Sequence, residues 1–91
     1  MALSVVQALF LAVSEGEATL ITQGGDVMEL AKIGSGMSVT NENGAQFHVF
    51  PHFGKYQAIT LDEEVEDVYD GEDSMDTICS DFFENILELS A

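Results

Sequence analysis

Apolar positions change their period twice along the chain. Over residues 3–13, Leu3, Val6, Phe10 and Val13 recur at spacings of 3, 4 and 3, with Ser4, Gln7 and Ser14 off that line. This period predicts a short helix that buries the stripe. Val5-Val6 and Leu9-Phe10-Leu11 are also compatible with a fully buried strand, which is the competing assignment. From Thr19 the runs shorten. Residues 19–22, 27–33, 37–41, 45–50 and 55–61 read as strands, punctuated by Gly24-Gly25, Gly34-Ser35-Gly36, Asn43-Gly44 and Gly54. Met37 and Val39 share one face opposite Ser38 and Thr40, and Phe47 and Val49 continue the apolar side. Asn43-Gly44 is the strongest hairpin signal, because both residues tolerate positive φ. Pro51 has no N–H for a ladder, so it ends its strand or lies at an edge. Five strands and four tight turns predict an antiparallel meander.

The last third returns to helical spacing. Thr60-Leu61-Asp62-Glu63 fits a capping box, predicting a helix from there through Tyr69 that stops at Gly71. Asp73 or Ser74 then caps a longer helix, in which Met75, Ile78, Phe82, Ile86 and Leu89 recur at spacings of 3, 4, 4 and 3. Phe83 and Leu87 widen this stripe, and Asp76, Asp81, Glu84 and Glu88 fall off it. The expected fold is a single α+β domain over 1–91. It is a small antiparallel β-meander of four to five strands with an N-terminal helix and an acidic amphipathic C-terminal helix.

Charge changes the picture more than composition does. The 91 residues include 17 acids against two lysines (Lys32, Lys55) and no arginine, a net of −15. Hydrophobic residues at 46% exclude a disordered acidic tail. The lack of clustered cations excludes direct nucleic-acid binding and disfavours anionic membranes. Residues 1–61 hold five acids and two lysines, a net of −3; residues 62–91 hold twelve acids and no base, a net of −12. A salt-adapted surface would be acidic all over, so this acidic C-terminal segment, 62–91, points to a partner, with a pure solubility role as the alternative. If 62–70 and 72–89 are both helical, ten acid–acid pairs fall at i,i+3 or i,i+4. At roughly 0.2–0.5 kcal/mol each, they cost about 2–5 kcal/mol at low salt.

The expected partner is a basic nucleic-acid-binding protein, met by a non-enzymatic acidic inhibitor acting as a DNA or RNA mimic. Nucleases, restriction enzymes, CRISPR effectors and repair enzymes carry such basic grooves, and anti-restriction or anti-CRISPR activity would follow. The candidate contact residues are Asp62, Glu63, Glu64, Glu66, Asp67, Asp70, Glu72, Asp73 and Asp76, extended by Asp81, Glu84 and Glu88. Two acidic helices side by side, or four in a homodimer, would approach the charge density of a duplex. Residues 59–68 are similar to the strand-into-acidic-helix segment of phage uracil-DNA glycosylase inhibitors. The likeness is generic helix-opening chemistry, identifies no family and gives no residue a role; it is small size and strong acidity that resemble mobile-element inhibitors of host defence or repair enzymes. The alternative expectation is a structural or adaptor module of a phage or assembly complex, with Phe50, Phe53 and Tyr56 as an apolar contact.

Other chemistry finds little footing. His48 and His52 on one strand would stand about 13 Å apart, beyond a shared ion. Cys79 has Asp76 one turn back, which raises a thiol pKa and disfavours a nucleophile. GxSxG, P-loop and HExxH motifs are absent, and EF-hand registers on Gly71 or Gly44 fail. No enzyme, cofactor or metal site is expected; loose divalent binding by the carboxylates of residues 62–76 remains open. One cysteine fits a reducing compartment, and residues 1–13 lack the basic start of a secretory signal. The expected location is the cytoplasm of a host cell.

Overall fold

The computed structural model describes residues 3–63 and 66–90, with side chains described through Phe83. The elements run α1 Val5–Glu15, β1 Glu17–Ile21, β2 Val27–Ile33, β3 Gly36–Thr40, β4 Gln46–His52, β5 Lys55–Thr60, β6 Glu66–Tyr69 and α2 Met75–Ser90. The strands form one antiparallel meander in chain order, β1 to β6. The α+β architecture is the expected one, with six strands in place of four to five.

Strand alternation builds one covered face. Met28 and Leu30, Met37 and Val39, Phe47 and Val49, and Ala58 all point to the side where the helices lie. There α1 packs over β1, β2 and β3. The first half of α2 supplies Met75, Ile78, Phe82 and Phe83, with Phe82 stacked on Phe47 at 4.8 Å and Phe83 tilted at 5.2 Å. The other face carries no helix. On it the Phe50 ring lies over Gly36, where a Cβ would collide with that ring and the Val49 carbonyl oxygen. The hairpin turn expected at Asn43-Gly44 forms, but only Gly44 takes positive φ, at 86; Asn43 does not, and the turn is held by the Asn41 carboxamide oxygen, which accepts from the Asn43 and Ala45 amides, both at 2.9 Å. Pro51 sits inside β4 opposite Tyr56, but the β3 ladder reaches only to Val49. Its missing N–H therefore faces no strand, and the β4–β5 hairpin projects past β3.

Two expectations are corrected. First, α1 is a helix, opened by the Ser4/Gln7 capping box and closed by Gly16 at φ 83, but it buries the other stripe. Val5, Ala8, Leu9 and Ala12 face the core, leaving Val6, Phe10 and Val13 exposed. Both stripes have helical spacing; the buried one contains the two alanines, which let the helix axis approach the sheet closely. Second, the acidic helix expected from Thr60 to Tyr69 is a turn followed by β6. Glu63 N–H donates to the Thr60 carbonyl, the Thr60 hydroxyl donates to the Asp62 carboxylate at 2.8 Å, and Glu63 has φ 61. The similarity of residues 59–68 to a strand-into-acidic-helix segment therefore does not extend to structure. The strand relieves charge crowding, because neighbours alternate faces and same-face residues stand about 7 Å apart. It also buries Tyr69 against Phe82, ring centroids 6.4 Å apart. Of the ten acid–acid pairs, only 81/84 and 84/88 fall within a helix, so their expected repulsion drops to about 0.4–1 kcal/mol.

Candidate functional site

The acidic segment is built from β6, the loop that follows it and the start of α2. In β6 the register sets Glu66 opposite Ile59 and Asp67 opposite Ala58. Alternation then sends Glu66 and Val68 to the uncovered face and Asp67 and Tyr69 to the helix side. From α2, Asp81 meets Tyr69, whose hydroxyl donates to Asp81 Oδ2 at 2.9 Å. Burial pushes the Tyr69 phenol well above its ordinary value, and the bond to Asp81 and the charges of Asp81, Asp67 and Asp73 push it the same way. The phenol is thus a fixed proton donor that holds one carboxylate beside a second.

The loop after β6 gathers the next group. Asp70 N–H donates to Asp73 Oδ2 at 2.8 Å, and Lys55 from β5 reaches Asp70 Oδ1 at 2.6 Å. This contact raises the Lys55 pKa, chiefly through the hydrogen bond and charge of Asp70. It is the single ion pair among the described residues. Glu72 is exposed next to it. Asp62 and Glu63 are exposed in the β5–β6 turn.

Asp76 does not join them. It opens α2, where a carboxylate complements the helix dipole, and its Oδ2 accepts from the Gln23 amide at 3.3 Å. It lines a hollow of about 330 Å³ together with Asp26, Glu42, Asn41, Asn43 and Cys79. Asp26 and Glu42 were not among the expected residues. Their distance from Asp76 along the chain hides the grouping, and the β1–β2 and β3–β4 turns create it. Cys79 is buried in the wall, and burial first, then Asp76 and Asp26, pushes its thiol up to about 12. That is the direction expected from the sequence, with burial as the larger cause.

The single acidic plate expected from the sequence is therefore divided. Asp67 and Asp81 are brought together at Tyr69, and Asp70, Glu72 and Asp73 at the loop. Asp62 and Glu63 stand at the turn, Glu66 on the uncovered face and Asp76 in the separate hollow. Glu64 and the side chains of Glu84 and Glu88 lie outside the described residues.

The histidines and the aromatic trio are also placed. His48 and His52 both belong to β4, each edge-on to a phenylalanine ring, His48 to Phe50 and His52 to Phe53. Among the described residues no three His, Cys, Asp or Glu side chains are grouped to hold a metal ion. Among them, too, no helix is long and apolar enough to cross a membrane. Phe50 covers Gly36 and Tyr56 packs against the core, whereas Phe53 is 95% exposed at the β4–β5 tip. Compared with protein-family models, with characterised proteins and with solved structures, the chain matches none.

Proposed function

We propose that the protein is a non-enzymatic inhibitor that lays its β5–β6 edge against the basic groove of a nucleic-acid-handling protein. A nuclease, restriction enzyme, CRISPR effector or repair enzyme in the cytoplasm of a host cell is the partner class. The observation that carries this reading is the set Asp62, Glu63, Glu66, Asp67, Asp70, Glu72 and Asp81. All are exposed around the last strand, with Lys55 the one cation paired among them. Acidic side chains on an edge strand also deter another chain from adding to the sheet, but two acids in β6 suffice for that. Side chains on one strand face repeat about every 7 Å against one duplex charge per roughly 1.7 Å, so the mimicry is of field rather than of phosphate spacing.

The test is capture of a partner from host lysate at low salt, with elution by salt and identification by mass spectrometry. Capture and inhibition should fall steeply as ionic strength rises. The combined reversal of Glu63, Glu66 and Asp67 to Lys should abolish both. Salt-independent capture, or full inhibition by the reversed variant, would sink the proposal.

A second reading rests on Phe53. The ring is almost wholly exposed and its backbone stands at φ 49, a conformation that favours glycine. An adaptor using this tip as an apolar anchor would assemble at high salt and lose assembly in Phe53→Ser.

A further inference from the structure

The outward side of α1 is an apolar surface that the acidic edge does not use. Phe10 is 74% exposed, Val6 and Val13 are about half exposed, and Leu3 and Leu11 complete a shallow apolar hollow of about 430 Å³ with Val6, Gln7 and Phe10. From Leu3 to Ser14 the chain has no ionisable side chain, although the protein carries −15. This face can be covered without stripping water from a charge.

Its N-terminal end is fastened to the acidic loop. Val5 N–H donates to the Asp73 carbonyl at 2.8 Å, Val6 N–H to the Gly71 carbonyl at 3.0 Å, and Met75 N–H to the Leu3 carbonyl at 2.8 Å. A Cβ at Gly71 would stand 3.3 Å from Val6 Cβ, so the loop lies directly against the stripe. Asp70, Glu72 and Asp73 with Lys55 give that end a net of −2 (three acids, one base). At the far end Glu15 and Glu17 flank Gly16, whose carbonyl accepts from the Lys32 amide.

We propose that the α1 stripe Leu3–Val6–Phe10–Val13, with the carboxylates of the 70–73 loop, is a docking face for a cationic amphipathic helix of a protein partner. An apolar row bordered by carboxylates is complementary to a helix with apolar residues at i, i+3 or i+4 and i+7 and Lys or Arg beside them. Three turns of helix, about 16 Å, match the length of the row. A second copy of this chain fits badly. It would bring like charge to the loop, and an 11-residue helix offers much less than the roughly 800 Å² per partner of a stable interface. The apolar part of this face, Val6, Phe10 and Val13, lies outside the β5–β6 edge; Asp70 and Glu72 are shared with it, so the apolar substitutions are what separate the two readings.

The test uses a dye-labelled synthetic helix of about 15 residues of Leu and Lys in amphipathic order. Its control has the same composition in scrambled order, and both are titrated by fluorescence anisotropy at about 0.15 M salt. The ordered peptide should bind at least about tenfold more tightly than the scrambled one. Phe10→Ser should weaken it about tenfold and Glu72→Lys about fivefold, with circular dichroism showing each variant folded. Reversal of Glu63, Glu66 and Asp67 to Lys, which destroys the acidic edge, should leave it within about threefold. Equal binding of the two peptides, or full binding by both Phe10→Ser and Val6→Ser, would overturn the proposal. So would sedimentation showing a dimer that Phe10→Ser dissolves, or binding to phosphatidylcholine vesicles that Phe10→Ser removes.

Discussion

Tyr69 and Cys79 hold their protons tightly, and the consequence is an alkaline limit on stability. Both groups have folded values raised above their ordinary 10 and 9 by burial, Tyr69 further by Asp81 and Cys79 by Asp76 and Asp26. A raised value means that the unfolded chain releases the proton first. The stabilisation is complete below pH 9 and drains away as pH rises, through about 12 for the thiol and higher for the phenol. Each group adds a slope of roughly 1.4 kcal/mol per pH unit inside its window. Urea unfolding followed from pH 8 upward should show stability falling from about 9. Cys79→Ala should flatten the first part of that fall and Tyr69→Phe the part above about 10. Curves parallel to that of the parent protein would show that neither proton is held by the fold. Phe53 poses the opposite case. Its ring meets the edge of His52 and its backbone is strained at φ 49, so Phe53→Gly should stabilise the protein by about 0.5–1 kcal/mol, read as a higher melting temperature.

At the scale of elements, α1 and β6 show where local pattern stops being decisive. A helix near 5–15 was legible from period alone, over residues 3–13; the Ser4/Gln7 capping box and the Gly16 stop, which act within a turn of their own position, were in the sequence but were not read there. Which side faces the sheet was not legible, because two apolar stripes compete and the choice depends on what β1, β2 and β3 present. The choice can be checked by paired truncations. Leu9→Ala should cost about 2–4 kcal/mol, whereas Val13→Ala should stay within about 0.5 kcal/mol. Equal costs would return the core to the Leu3–Val13 stripe. For β6 the sequence carried a sound helix-opening signal at Thr60–Glu63. The ladder to β5 and the burial of Tyr69 outweighed it, and neither exists until the sheet and α2 are in place.

For the whole molecule the dominant quantity is a net of −15 in a chain with a single ion pair among its described residues. Self-repulsion of this size is screened by salt, so raising NaCl from about 0.02 to 0.5 M should raise the melting temperature by several degrees. Binding to a basic groove should respond to the same salt in the opposite direction, and one titration series on free and bound protein measures both. An unchanged melting temperature would mean that the carboxylates are far enough apart not to interact. The candidate contact set was legible as a list of residues and not as a surface. Asp62 through Asp81 follow one another in the chain, yet the fold sends Glu66 to the open face, pairs Asp67 with Asp81 at Tyr69, and turns Asp76 toward Asp26 and Glu42. The sequence by itself determined the meander, the two helices, the turn at Asn43-Gly44 and the excess of negative charge, since each depends on spacing, turn chemistry or composition within a short window. Tertiary structure decided the buried side of α1, the formation of edge strand β6 at residues 66–69 where a helix was expected, and the division of the carboxylates. Those outcomes depend on neighbours outside the local window, from Ile59 opposite Glu66 to Gln23 against Asp76, whose packing and pairing free energies exceed the local preferences they override.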